Sequence, residues 1–234
     1  MDKYLLIVNK QNHFDEKMLE SFKMLPYKDE DGESFIEEQT LKSLNALKQH
    51  MKEKYGYVVE DFSVGRTPAR QQEVSEQIYA QQYNKAKEKG ASDEEAKAHA
   101  QNYVGSYVAK PTESEHHTGL AFDVRMHALL PKMVQKLADK VDVLQKAIDK
   151  RERETGKTDE MFDALYKEMA EFGFILRYPK GKEDETGYRH ERWHLRYVGK
   201  EHAKAIEKGD LTLEAYVKKL QAEQEQSQDQ PGAY

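Results

Sequence analysis

Two short segments concentrate the residue types that bind metals and move protons: Ser114-Glu115-His116-His117-Thr118-Gly119-Leu120-Ala121-Phe122-Asp123 and His190-Glu191-Arg192-Trp193-His194. Six of the nine histidines fall between His116 and His202, and four lie in these two segments. The chain has no cysteine, which excludes disulfide frameworks, thiolate nucleophiles and cysteine-ligated zinc. A metal here must use histidine and carboxylate.

Two geometries compete for the second segment. His190-Glu191-Arg192-Trp193-His194 matches H-E-x-x-H, the helical zinc pattern in which both histidines share the ion and the glutamate activates water. On a helix, positions i and i+4 lie about 6 Å apart along the axis, near enough to share one zinc through bonds of about 2 Å. On a strand they lie about 13 Å apart and cannot. Tyr188, Trp193, Leu195, Tyr197 and Val198 suit a strand, Gly187 and Gly199 flank the run, and no helical apolar stripe crosses it. The strand is therefore the favoured reading. If His194 is a ligand on a strand, its companions come from elsewhere, and the segment holding His116 and Asp123 is the obvious supplier. A His-Asp-His set suits zinc and leaves a fourth coordination position open. A free carboxylate nearby would then act as general base, and Glu191 is the candidate. It stands three residues before His194, so strict alternation puts it on the other face. The chain must bend or bulge near Arg192 for both to reach one ion.

The elements that would position these residues are helices and strands mixed without strict alternation, which predicts an α+β fold. Residues 4–8 read as a short buried strand and 9–12 as a polar turn, while 13–33 carry no clear period. Apolar positions Ile36, Leu41, Leu44, Leu47 and Met51 predict a helix over 34–54 ended by Gly56. A strand over 57–62 runs into a Gly/Pro loop at 63–68, followed by a helix over 69–89 and a second one opened by the Ser92/Glu95 capping box. Residues 107–118 read as loop and 119–124 as strand. A long amphipathic helix is predicted over 131–151, interrupted at Gly156-Lys157-Thr158, then a helix over 161–172, a strand over 174–176, a charged hairpin-like loop over 180–186, a strand over 188–198 and a helix over 202–220. One domain is expected over residues 1–220, with 221–234 a polar, fraying tail.

Composition narrows the partners. Among 234 residues, Lys plus Arg number 37 and Asp plus Glu 43, a net charge of −6, and no stretch collects enough cations to track a phosphate backbone, so nucleic acid is not expected. Apolar residues make up only 38%, but 14 Tyr and 8 Phe argue for a packed core. The apolar run at 4–8 is far too short to span a membrane and lacks the cationic start and cleavage site of a signal peptide. As written, the chain is expected to be cytoplasmic, with the cell surface or secretion as the alternative if a leader is removed.

The spacing resembles that of the M15 zinc peptidases, specifically the VanY-like D-alanyl-D-alanine carboxypeptidases. The pattern S-x-H-x-x-G-x-A-x-D is met at Ser114, His116, Gly119, Ala121 and Asp123, and E-x-W-H at Glu191, Trp193 and His194, with Gly187-Tyr188 before it and Arg196-Tyr197-Val198-Gly199 after it. Gly173-Phe174-Ile175-Leu176-Arg177-Tyr178-Pro179 and Arg66-Thr67 with Gln71 extend the likeness, which covers residues 4–205 or so. Val64-Gly65 replaces the usual Gly-Tyr, His117 a frequent Gln and Arg192 a frequent Pro, and the stretch between Asp123 and Phe174 is longer than usual.

The resemblance implies a small antiparallel sheet carrying the site, packed against helices. It implies one Zn2+ per chain on His116, Asp123 and His194, Glu191 as catalytic base, and Arg66 steadying the scissile carbonyl or substrate carboxylate. Ser114 and Gln71 would line the pocket of the terminal D-residue. The implied activity is removal of the C-terminal D-alanine from bacterial peptidoglycan stem peptides or their precursors. L,D-carboxypeptidase and D,D-dipeptidase activity are alternatives within the family, and a non-catalytic module that holds a wall peptide is the alternative outside enzymology.

Overall fold

The computed structural model describes residues 2–30, 32–129, 142–154 and 156–228. The site is built on a four-stranded antiparallel sheet of order β3-β4-β6-β5, with β3 at Tyr57–Ser63, β4 at Ala121–Ala128, β5 at Phe174–Leu176 and β6 at His194–Tyr197. A separate hairpin pairs β1 (Met24–Asp29) with β2 (Gly32–Glu37). Helices α1 (Glu38–Tyr55), α2 (Pro68–Glu88), α3 (Asp93–Tyr107), α4 (Asp142–Glu154), α5 (Lys157–Glu168), α6 (Glu183–Thr186), α7 (Lys200–Gly209) and α8 (Leu213–Gln228) complete the described residues. The α+β expectation holds, and the sheet is small and antiparallel as the resemblance implied.

Strand periodicity decides which side chains meet. Successive residues of a strand point to opposite faces. On β4, Phe122 and Val124 enter the main core with Leu44, Leu47 and Met51 of α1 and Met161 and Leu165 of α5, and on β6 Leu195 and Tyr197 do the same. Asp123, His194 and Arg196 therefore lie on the opposite face. The β4/β6 register places Asp123 directly across from His194. A second apolar cluster, including Leu5, Ile175, Val198, Ile206, Leu213 and Val217, seats α7 and α8.

Several local expectations are corrected. The run at 4–8 is buried but is not a strand: a 3-10 turn spans Lys3–Leu5, and the carbonyls of Tyr4 and Leu6 accept from Arg196 Nη2 at 3.1 and 2.6 Å instead of entering a ladder. Residues 13–33 conceal β1, and Ile36 belongs to β2, so α1 begins only at Glu38, capped by the Glu37 carboxylate. The strand expected over 188–198 is confined to His194–Tyr197. The expected loop at 180–186 contains the short α6, and the single helix over 202–220 is two, separated at Asp210, whose φ is +45°. The helix expected over 131–151 is helical from Asp142, and its first part lies outside the described residues. Residues 221–228 continue α8.

One glycine holds the approach to the site. Gly119 caps the 3-10 turn Glu115–Thr118 with φ +63°, and its carbonyl accepts from Glu37 N at 3.0 Å. A Cβ there would fall on the Met24 methyl and within 3.1 Å of the Glu37 amide nitrogen. Left-handed backbone costs a side-chain-bearing residue about 1–2 kcal/mol before any clash. Gly119→Ala is thus expected to lower Tm by about 2–8 °C in a thermal melt; an unchanged Tm would mean that the turn relaxes without cost.

Candidate metal centre and active-site cleft

Three chain segments converge on one cleft of about 510 Å³, whose walls include Arg66, Gln71, Ser114, His116, Asp123, Glu191 and His194. All seven residues singled out in the sequence therefore reach the same space. His116 comes from the 3-10 turn that feeds β4, Asp123 from β4 itself and His194 from the first position of β6. Each of the three can offer a ligand atom within 4.8 Å of the others, and all three are buried.

The two imidazoles present different nitrogens. His116 Nε2 lies 3.4 Å from Asp123 Oδ2, while its Nδ1 is bonded to the Val64 carbonyl. His194 Nδ1 lies 3.0 Å from Asp123 Oδ1 and 3.8 Å from Glu191 Oε2. The rings meet edge-on, 5.0 Å between centroids. Burial, joined by the charge of Arg66, pushes the His116 imidazole down to about 4. Burial also opposes charge on His194, but the bond to Asp123 and the negative charges of the nearby Glu115 and Glu191 carboxylates prevail and raise it to about 9. For Asp123 burial favours the neutral acid, and the two histidines outweigh it, holding the carboxyl well below its usual range. Metal ligation requires His194 to release its proton.

Glu191 meets the bend that strand alternation demanded. The chain turns over Glu191-Arg192-Trp193 before β6 starts, with His194 N–H donating to the Glu191 carbonyl at 3.2 Å and Glu191 N–H to the Tyr178 carbonyl at 3.2 Å. This turn brings the Glu191 carboxylate to the His194 side. Burial pushes that carboxyl up to about 8, against the pull of His194 and Arg66. His190 is half-buried, its Nδ1 2.9 Å from the Tyr178 carbonyl, and it is not part of the three-residue group. With no helix at 190–194, the i/i+4 zinc geometry is absent.

The Arg66 loop is held by residues about 50 positions away in sequence. Arg66 N–H donates to the His116 carbonyl at 3.2 Å, and the Arg66 carbonyl accepts from His117 Nδ1 at 2.6 Å. His117 Nε2 accepts from Thr112 N–H, which fixes the tautomer and makes this residue a buried brace for the loop. Gln71, in the first turn of α2, gives its Nε2 to the Ala109 carbonyl at 2.7 Å and keeps its buried Oε1 without a partner. Ser114 stands at the N-cap of the 3-10 turn without a capping bond from its side chain. Trp193 is half-buried and lines the cleft.

Sequence spacing gave no role to the buried charges behind His116, Asp123 and His194. Glu115 Oε1 accepts from Arg177 Nε at 2.8 Å and Arg196 Nη1 at 2.7 Å, and Arg177 also pairs with Glu214. Burial would raise the Glu115 carboxyl, but the two guanidiniums outweigh it and keep it ionised. A charge flanked by three polar neighbours in sequence reads as surface, and only the positions of Arg177, just past β5, and Arg196, within β6, hint at buried partners.

Comparison with known proteins places these observations. The profile of the family described as VanY, D-alanyl-D-alanine carboxypeptidase, matches residues 33–200. A D-alanyl-D-alanine carboxypeptidase of Enterococcus faecalis (strain ATCC 700802 / V583) is 35% identical over 152 residues, 65% of this chain and 44% of that protein. A mutant of the vancomycin-resistance D,D-pentapeptidase VanY from a VanB-type cassette, in complex with Zn(II), superposes with a TM-score of 0.65 at 28% identity, covering 92% of this chain and 99% of that one. VanYB in complex with D-alanine-D-alanine gives the same TM-score and identity over 93% of this chain and 98% of that one. The matches to the first curated relatives span 40%, 51% and 44% of their lengths, about half or less. Among the described residues no helix is long and apolar enough to cross a membrane.

Proposed function

The chain belongs to the VanY family of D-alanyl-D-alanine carboxypeptidases, and on that premise we propose that it is a zinc-dependent D,D-carboxypeptidase acting on peptidoglycan stem peptides or their precursors. The observation that carries this reading is a group of three metal-capable side chains with a buried carboxylate 3.8 Å from one of them, all in one cleft. A metal held for structure alone needs no such carboxylate.

The donor set fits zinc, since two imidazoles and a carboxylate converge and each ring turns one nitrogen toward Asp123. His116, Asp123 and His194 would hold one ion per chain. When bound, zinc supplies a Lewis acid that polarises the scissile carbonyl and lowers the pKa of water. Glu191 takes the proton of the attacking water as the new C–O bond forms. It then delivers that proton to the departing amine as the C–N bond breaks, leaving a shortened peptide carboxylate and free D-alanine. Arg66 sets a fixed positive charge on the cleft wall for the substrate carboxylate or the developing oxyanion. Gln71 Oε1 offers an unfilled acceptor for the N–H of the terminal residue, with Ser114 beside it.

Mass spectrometry of a stem-peptide panel incubated with zinc-loaded protein tests the proposal. Loss of a single D-alanine from peptides ending in D-Ala-D-Ala is expected. Preferential trimming of tetrapeptides ending in an L,D bond would shift the assignment to L,D-carboxypeptidase, and tight binding without cleavage at any pH would indicate a binding module.

Arg66→Ala is expected to lower kcat/KM while zinc stays bound, because its charge acts on substrate. Arg66→Lys should cost less, retaining charge but losing the planar fork. A kinetically silent Arg66→Ala on a peptide with a free C-terminal carboxylate would remove this residue from the mechanism.

A further inference from the structure

Two buried polar atoms behind the ligand set face each other without partners. Glu115 Oε2 and His194 Nε2 are 3.8 Å apart, and neither makes a hydrogen bond in the protein. Buried polar atoms are rarely left so, because each orphan costs its full desolvation. The other oxygen of Glu115 is fixed by Arg177 and Arg196, so the carboxylate cannot turn away from His194. We propose that Glu115 is a positioning residue for His194: its Oε2 accepts the Nε2–H of the imidazole, which commits Nδ1 to the metal.

The chemistry follows from the ring. A neutral imidazole has one donor and one acceptor nitrogen, so a proton held at Nε2 leaves the lone pair on Nδ1, the atom 3.0 Å from Asp123. The gap is about 1 Å longer than a hydrogen bond, and no other described group claims either atom. His116 meets the same requirement in the opposite sense: the Val64 carbonyl takes Nδ1–H and leaves Nε2 for the ion. Carboxylate or carbonyl partners of this kind set both the tautomer and the basicity of a ligating histidine.

This inference rests on the proposed zinc site, and the experiment separates the two. In Glu115→Gln the two guanidiniums draw the amide oxygen to themselves, so the amide NH2 must face His194 Nε2 and donate to it, forcing the proton onto Nδ1. Zinc affinity, measured by competition with a chelator, is expected to fall about 10–100-fold in a variant that remains folded by circular dichroism. Folded Glu115→Gln with wild-type affinity overturns the proposal, whereas wild-type protein that binds no zinc overturns the site itself. If the variant does not fold, 15N NMR of the zinc-loaded wild type decides: a slowly exchanging proton on His194 Nε2 is expected, and an unprotonated Nε2 contradicts the role given to Glu115.

Discussion

Glu191→Gln is expected to bind zinc and melt like the wild type while its kcat falls by about 10²–10⁴-fold, the usual cost of losing a general base. The amide keeps the shape of the carboxylate, and the backbone of Glu191 is held independently by the Tyr178 carbonyl and by His194 N–H. Only proton acceptance is lost. The side chain is buried beside His194, and among the described residues only Asp123 brings a carboxylate closer to Nδ1 of that ring. A near-normal kcat with full zinc occupancy would assign the base to another group.

The second large effect separates the two zinc geometries that share Glu191 and His194. Loss of one of three ligands should collapse zinc affinity and activity together, so His116→Ala and Asp123→Ala are expected to be isolated without zinc and inactive. His190→Ala should retain zinc and lose at most about 10–100-fold in activity, because its ring reaches the Tyr178 carbonyl and not the ligand group. Metal analysis of the purified variants reads the difference directly. A zinc-free His190→Ala beside a zinc-replete His116→Ala would require a helix at 190–194, where the chain turns and then enters β6.

Much of the site was legible because its signals are local. The Asp123 and His194 segments have strand chemistry, and alternation alone foretold that Glu191 needs a bend at Arg192, which is where the chain turns. The Ser92/Glu95 capping box was legible for the same reason. What escaped depends on distant partners. β1 contains Pro26 and Lys28 and alternates only weakly, so its strand character appears only when paired with β2. The apolar run at 4–8 has strand composition, but its carbonyls are claimed by Arg196, about 190 residues away in the chain. Glu115 reads as a solvated acid until Arg177 and Arg196, 62 and 81 residues further on, fold over it.

The proposed zinc site, carried by a turn and two strands and not by a helix, is tested most directly by anomalous scattering from crystals of the zinc-loaded protein, measured on both sides of the zinc absorption edge. A single peak is expected within about 2.0–2.2 Å of a ring nitrogen of His116, a carboxylate oxygen of Asp123 and a ring nitrogen of His194. A peak shared by His190 and His194, with His116 and Asp123 outside bonding distance, would contradict it.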